Sequence, residues 1–490
     1  MTLTVPPTTH DEAVDALQAF AVLPDWLSAL MEPGRLDHAL RRSVAELADG
    51  RLTLVSCRAD RLRAKGEDWL ARCSVTVADR DGTRQDVVLV GFVLPPPRRP
   101  ASPTEAVDQR VVPFGAPGWQ GYLEDLGLQV RVQEADEGLP ALESLLDPVA
   151  AAATIGRCLR AGPRPGARVT GCEPFVARYK PGSRCTIVYR VRYAESPGSD
   201  SLPDPVVAKT HQGDKGLVAH EAMTALWNTA LADGKDVLLA EPLGYLAGER
   251  VLLQGPVPEE RTLKELARQA FPEQEPAGLD AGPLAELRTE LEKTAAALAA
   301  LHGSVARYSR TATWQGELAE VREVLDRLTL SVPGLRTAAE PMLARLEELD
   351  RKVPADPLVS AHHDFRPAQV LLHSGRVGFI DFDGAAMAEP ALDLGRFRGK
   401  LRDIGISAFS AAGGELDGQA FEDRLALLDD LCEHFLAAYQ AHAPVSRERV
   451  LLWETIDLLT ALLHTWTKVR LLRVGPRLAV LVHQMRTAHG

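Results

Sequence analysis

The stretch VSAHHDFRPAQVLLHSGRVGFIDFD, residues 359–383, limits what this chain can fold into more than any other. Its two apolar runs, VLL and VGFI, are too short for helices, and the Ser374-Gly375 pair between them is a turn signal, so a β-hairpin is predicted. Asp364 and Gln369 precede the first strand, and Asp381 and Asp383 follow the second. Because a hairpin returns its two ends to one place, oxygen-bearing side chains separated by five and then twelve positions are expected to converge.

Around that hairpin the chain changes texture. Beyond 280 it reads as helical, broken only over 358–383. From 168 it reads as strands: VTGCEPFVARYK, a tight KPGSR turn, CTIVYRVRYAE and PVVAKTH, then a helix in HEAMTALWNTALADG, then LLAEPLGYL and ERVLLQGPV. A β-rich lobe followed by a helical lobe, with chemistry at their junction, is implied. In front of both lies another α+β region. Residues 10–48 predict two helices stopped at Gly50, and LTLVSC, WLARCSVTVADRDG and DVVLVGFVL predict a small antiparallel sheet with a hairpin at Asp81-Gly82. PPPRRPASP at 95–103 cannot continue an interior strand, and ALESLLDPVAAAATIGRCLRAG reads as one helix ended by Gly162. Residues 54–94 and 170–210 share a strand rhythm, with VVLVGF where the second copy has VVAKTH, so a degenerate first copy and two unrelated meanders both remain open. The expected domains are 1–140, 141–255 and 256–490.

Composition narrows the partners. A net charge of −12 argues against a nucleic acid and suits a neutral or cationic small substrate. Six scattered cysteines without a CxxC pair read as core residues rather than a zinc site or disulfide framework. The start lacks the basic and apolar regions of a signal peptide, and no apolar run reaches the about 18 residues of a membrane span, so a cytoplasmic protein is expected.

Phosphoryl transfer from ATP needs a carboxylate to orient and accept the proton of an attacking hydroxyl, and hard oxygen ligands for Mg²⁺. Asp364 suits the first task; Gln369 and Asp381 suit the second. His362, Asp364 and Gln369, followed by IDFD and by PALDL, resemble the signature of the aminoglycoside phosphotransferase and choline kinase family. Gln369 stands where most members have Asn, and the chain resembles bacterial maltokinase-like and glucosamine kinase-like members in having Gln there. The resemblance implies a bilobal, protein-kinase-like α+β fold with an extra N-terminal α+β domain, and ATP and Mg²⁺ as cofactors. It makes Asp364 the catalytic acid–base group, with Arg366 beside it to neutralise the transferring phosphoryl group, Gln369, Asp381 and Asp383 the metal ligands, and His362 and Asp393 structural supports. Lys209 would hold the α- and β-phosphates, fixed by Glu221. Gly182, Ser183 and Arg184, or Lys180, would meet phosphate from the hairpin turn, and Leu253 and Gly255 would meet adenine at the hinge. The acceptor implied is a hydroxyl of a sugar, amino sugar or aminoglycoside; the acidic helices at 416–440 and 446–465 read first as a solvated acidic face, and as the lining of a pocket they would suit a cation. A Ser/Thr kinase of a precursor peptide and a catalytically weak pseudokinase scaffold are the other readings.

Overall fold

A computed structural model describes residues 16–17, 24–32, 34–65, 68–100, 112–133, 136, 138–162, 164–194, 202–272, 281–407, 409 and 418–489. The expected first helix, within 10–23, lies almost wholly outside these residues. The second is α1 (Arg35–Ser43), whose Leu36, Ala39 and Leu40 are buried at helical spacing.

The next five strands are β1 (Thr53–Lys65), β2 (Asp68–Ala78), β3 (Arg84–Val93), β4 (Gln120–Leu123) and β5 (Leu128–Val132), in the order β1-β2-β3-β5-β4. Asp79 and Gly82 close the expected β2–β3 hairpin, with Gly82 at φ 83° where a side chain would strain. The single helix expected over 141–161 is instead broken. Pro148 has no N–H to continue Leu142–Leu146, so it starts α2 (Pro148–Ala161), while Asp147 accepts from Val149 N at 3.0 Å and Ala150 N at 2.7 Å as the N-cap.

A second five-stranded sheet follows: β6 (Val169–Lys180), β7 (Arg184–Tyr193), β8 (Val206–His211), then α3 (Lys215–Trp227), a two-residue strand β9 (Leu238–Leu239), and β10 (Pro242–Leu246) and β11 (Val251–Gln254). Its order is β10-β11-β8-β7-β6, all antiparallel. Cross-strand register sets Thr186 beside Lys209 and Arg184 beside both His211 and Lys180, so these side chains share one face.

After β12 (Arg261–Thr262) the chain becomes helical. Thr262 and Glu265 form a capping box that starts α4 (Leu263–Ala270), and α5 (Ala281–His302), α6 (Trp314–Thr329) and α7 (Gly334–Lys352) follow. The predicted hairpin is β14 (Val370–His373) and β15 (Arg376–Phe379), preceded by β13 (Val359–Ala361) and followed by β16 (Ala386–Ala388). Ser374 and Gly375 both take positive φ, 48° and 73°, as a two-residue turn requires. The chain ends in α8 (Pro390–Gly405), α9 (Gly418–Gln440), α10 (Arg447–Thr467) and α11 (Val474–His489). Helix α8 lies so close on α10 that a Cβ on Gly395 would come within 2.5 Å of the Glu454 nitrogen. That contact packs α8, which carries Asp393 in its first turn, tightly on α10.

The first sheet and the helical lobe share one apolar core, which includes Trp69, Leu89, Leu392 and Trp453. The second sheet and α2 have a core of their own around Ile187, Tyr189 and Leu159. A β-rich lobe against a helical lobe, with an α+β region in front, is the kinase-like α+β architecture expected. All six cysteines are free and five are buried, as core residues would be. Among the described residues no helix is long and apolar enough to cross a membrane.

Candidate active site

Asp393, with 0 % exposure, organises the loop before the hairpin. Its carboxylate accepts from the backbone nitrogens of His362 at 2.6 Å and His363 at 2.7 Å, and lies 3.1 Å from His302 Nε2. Burial works to raise the Asp393 carboxyl, but His302 and His362 outweigh it and hold it below its ordinary value. His302 is fixed in turn by Tyr439, whose hydroxyl lies 2.8 Å from Nδ1. With its amide anchored, His363 holds a left-handed φ of 70°, a conformation that needs such over-determination in a residue with a Cβ. The His362 ring meets the Ile380 carbonyl at 2.9 Å, tying the loop to the far end of the hairpin. Asp364 is thereby presented at the cleft with its side chain 48 % exposed.

The predicted convergence is present. Gln369 Nε2 donates to Asp364 at 3.1 Å and to Asp381 at 3.3 Å. From the second sheet, Lys209 Nζ reaches Asp381 Oδ1 at 3.1 Å, and Arg184 reaches Asp381 Oδ2 at 3.1 Å and Asp383 at 3.5 Å. Burial pushes the Asp381 carboxyl up, but Lys209, hydrogen bonding with Asp383 and Arg184 prevail and hold it far below the usual carboxylate range. Asp381 also sits at φ 77°, a second strained residue in this cluster.

Four expectations need correction. Lys209 does not pair with Glu221: the Glu221 carboxylate is exposed and takes Ser309 Oγ at 3.1 Å, because α3 turns that position toward the helical lobe. Gln369 does not offer its amide oxygen to a metal; that oxygen accepts from Arg366 Nε at 2.9 Å, leaving the NH₂ toward the acids. Leu253 lies in a strand flanked on both sides, opposite Ala208 and Gly244, so its backbone is committed to the sheet. The Gly255 nitrogen donates to the Glu241 carbonyl at 2.8 Å, and the chain leaves the sheet there. Last, the Gly182 nitrogen is not free for phosphate: it donates to the Asp136 carboxylate at 2.8 Å, and the Ser183 nitrogen turns back to the Lys180 carbonyl at 3.0 Å.

Sequence reasoning passed over His302, Tyr439, His211 and Asp136. His211 lies on the Lys209 face and is 3.3 Å from Asp383. The alternation in VVAKTH carried a signal for which face of that strand looks into the cleft; nothing local marked the other three.

A hard cation fits part of this cluster. Among the described residues Asp383 Oδ1 is buried with no hydrogen-bond partner, and Asp381 stays ionised beside it, so two carboxylates are available where Mg²⁺ asks for few protein ligands. Gln369 as oriented does not complete the set, and among the described residues no three His, Cys, Asp or Glu side chains form a metal group. The cations Lys209, Arg184 and Arg366 around them suit phosphate oxygens.

Residues 243–431 match the model of the phosphotransferase enzyme family, APH, a stretch that contains Asp364, Gln369, Asp381, Asp383 and Asp393. Over that segment the chain is similar to the phosphotransferase enzyme family, the group its sequence resembles. No curated protein matches it. Similar solved structures include a glucosamine kinase bound to glucosamine, ADP and inorganic phosphate, 16% identical, covering 88% of this chain and 94% of its own, at a TM-score of 0.47. A choline/ethanolamine kinase family protein from Mesorhizobium loti is 16% identical over 68% of this chain and 95% of its own, at 0.41. A choline kinase from Cryptosporidium parvum is 12% identical over 69% and 94%, at 0.42.

Proposed function

We propose that the chain is an ATP- and Mg²⁺-dependent kinase of a small-molecule hydroxyl, with 141–255 and 256–490 as its two lobes. The observation that carries this is the reach of Lys209 and Arg184 from the second sheet to Asp381 beneath, at 3.1 Å each, with Asp364 held beside Asp381 through Gln369. Bound ATP and Mg²⁺ would supply the transferable γ-phosphoryl group and the charge that offsets its oxygens.

The chain's own residues do the rest. Asp381 and Asp383 would hold the cation, since one is kept ionised and the other has an oxygen uncommitted among the described residues. Lys209 and Arg184 hold phosphate oxygens, and would exchange their present carboxylate contacts for them. Asp364 orients the acceptor hydroxyl and accepts its proton as the acceptor oxygen bonds to phosphorus and the β–γ bridging bond breaks, releasing ADP. Arg366, 3.1 Å from Asp364, keeps that carboxylate in place and offers positive charge to the group in transit.

Asp364→Ala tests the reading. It should lower phosphate transfer by about 10²–10⁴-fold while thermal unfolding and binding of a non-hydrolysable ATP analogue with Mg²⁺ stay as in the parent. Undiminished transfer would remove Asp364 from the reaction, and absence of Mg²⁺-dependent nucleotide binding in the parent would leave only a scaffold.

A further inference from the structure

Helix α8 holds His363 by both of its backbone polar groups. Asp393 takes the amide at 2.7 Å, and Arg396, one turn further along the same helix, gives its Nη1 to the carbonyl. The side chain is held as well. A guanidinium can only donate, so at the 3.1 Å contact between Arg396 Nη1 and His363 Nδ1 the ring nitrogen accepts, which puts the ring hydrogen on Nε2. Nε2 gives it to Glu317 Oε1 at 2.8 Å, and Arg396 Nη2 closes the triangle on Glu317 Oε2. The side chains of His363, Glu317 and Arg396 are largely withdrawn from solvent, at 14 %, 11 % and 18 % exposure.

Glu317 comes from a different helix, whose place is set independently of the loop. Thr313 caps α6 by accepting from the Gly316 nitrogen at 3.1 Å, and Trp314 packs edge-on against Trp453 of α10 with ring centres 5.1 Å apart. The approach to α6 is tied to β16, since the Ala312 nitrogen donates to the Met387 carbonyl at 2.9 Å and the Met387 nitrogen to the Arg310 carbonyl at 2.8 Å. Burial pushes the Glu317 carboxyl up, but the bond from His363 and the charge of Arg396 outweigh it and hold it below its ordinary value. The imidazole also lies against the turn after Asp383, where a Cβ on Gly384 would come 3.0 Å from Nδ1.

All of this restraint falls on a residue whose own Cβ disfavours its φ of 70°. Rotation about that bond swings the His363 carbonyl and everything after it, and Asp364 is the next residue. Asp393 holds the amide, which lies before the bond. The carbonyl and the ring lie beyond it, and those are the groups that Arg396 and Glu317 hold.

We propose that Glu317 and Arg396 are positioning residues for phosphoryl transfer, which keep His363 left-handed and so aim the Asp364 carboxylate at the acceptor hydroxyl. This rests on the phosphotransferase reading for the role of Asp364.

The test is a two-by-two set in the full chain: parent, Glu317→Ala, His363→Gly and the two together. Glycine takes a positive φ as readily as a negative one, so on the His363→Gly background Glu317 has no strain to oppose and no ring to hold. ADP release is followed with glucosamine as the acceptor probe, or with water where glucosamine is not turned over. Glu317→Ala should lower kcat by about 10–10²-fold, the scale for misplacing a reacting group by about 1 Å, with the KM for ATP unmoved. On His363→Gly the same change should cost no more than about twofold, the spread expected of sites that do not interact. Equal losses on both backgrounds, or no loss in the parent, overturn the proposal. Where Glu317→Ala does not fold, Glu317→Met, which fills the space without an acceptor, takes its place. Glu317→Gln keeps an oxygen for Nε2 and should retain most of kcat; a Gln variant as slow as the alanine one overturns the role assigned to the ring. Hydrogen exchange supplies a readout that needs no turnover. The peptide 359–366 should exchange faster in Glu317→Ala than in the parent, and at one rate with or without Glu317 on His363→Gly. Unchanged exchange in Glu317→Ala overturns the positioning whatever the kinetics show. Faster exchange together with ADP release indifferent to Asp364→Ala would sink the phosphotransferase reading alone.

Discussion

The sheet of residues 53–132 and the sheet of 169–254 follow one path. Each is preceded by a helix, each runs three strands of antiparallel meander, and each places its fifth strand between the third and fourth. Cys73 and Cys185 are buried in the second strand of each. Their differences lie where chemistry lies. The third strand of the later sheet reads VVAKTH and sends Lys209 to Asp381; the third strand of the earlier one reads DVVLVGFV and has valines there. Helix α3 follows the third strand in the later sheet, whereas only a short 3₁₀ turn follows it among the described residues of the earlier one. Their packing differs too, since the earlier sheet shares its core with the helical lobe and the later sheet keeps its own. A shared path therefore makes a platform, and one lysine with the right neighbours makes a site.

The largest expected effect breaks that comparison at the lysine. Lys209→Met should reduce phosphate transfer by about 10²–10³-fold, the scale for losing one preorganised charge at developing phosphate charge. Adding Val88→Lys or Val90→Lys to that variant should restore nothing, as measured by ADP release. Recovery of transfer by either added lysine would mean that the two sheets are interchangeable.

A smaller effect tests the difference in packing. Trp69 of β2 is 2 % exposed, and its indole N–H donates to Ser331 Oγ at 2.9 Å in the turn between α6 and α7. Trp69→Phe removes that bond and part of the ring, which should cost about 1–2 kcal/mol in one cooperative denaturation that includes the helical lobe. Two separated transitions, with only the first displaced, would show that the earlier sheet melts alone and that the common core is a contact rather than a unit.

What the sequence disclosed follows the range of the interactions. The hairpin at 370–379, the strand carrying Lys209 and the repeated meander are local patterns of alternation and turn chemistry, and all are present in the structure. Partner choice was hidden wherever it depends on how one element is rotated against another. Lys209 and Asp381 are 172 positions apart, and a lysine followed by a helical glutamate suggested Glu221 because no one-dimensional pattern reports which way α3 faces. The acidic helices looked like a receptor for cations because their arginine partners, such as Arg402 for Glu454 at 52 positions' remove, sit on a different helix. Gln369 showed its amide but not which end of it the neighbouring Arg366 would claim. The break at Asp147-Pro148 was legible from proline's missing N–H, and the apolar periodicity on either side concealed it.

The smallest effect concerns the joint between the two sheets. The chain leaving β5 places the Asp136 carboxylate on the Gly182 nitrogen, on the Gly138 nitrogen at 3.1 Å and on the Tyr179 hydroxyl at 2.7 Å. Gly138 packs so closely on Gly182 that a Cβ there would lie 2.8 Å from its neighbour's Cα. Tyr179 lies opposite Cys185, and the next pair, Lys180 with Arg184, faces the other side of the hairpin. Asp136 therefore grips the turn from behind and leaves the cation-bearing face to the cleft. Removing it in Asp136→Ala frees a turn whose Gly182 holds φ 66°, so Arg184 should spend less time over Asp381 and Asp383. The expected result is a rise of about 3–5-fold in the KM for ATP, the scale of one net hydrogen bond to a charged group shared among several contacts, with kcat little changed. An unchanged KM would make the contact a tether without influence on the site, and a lower KM would make it a restraint that the nucleotide has to displace.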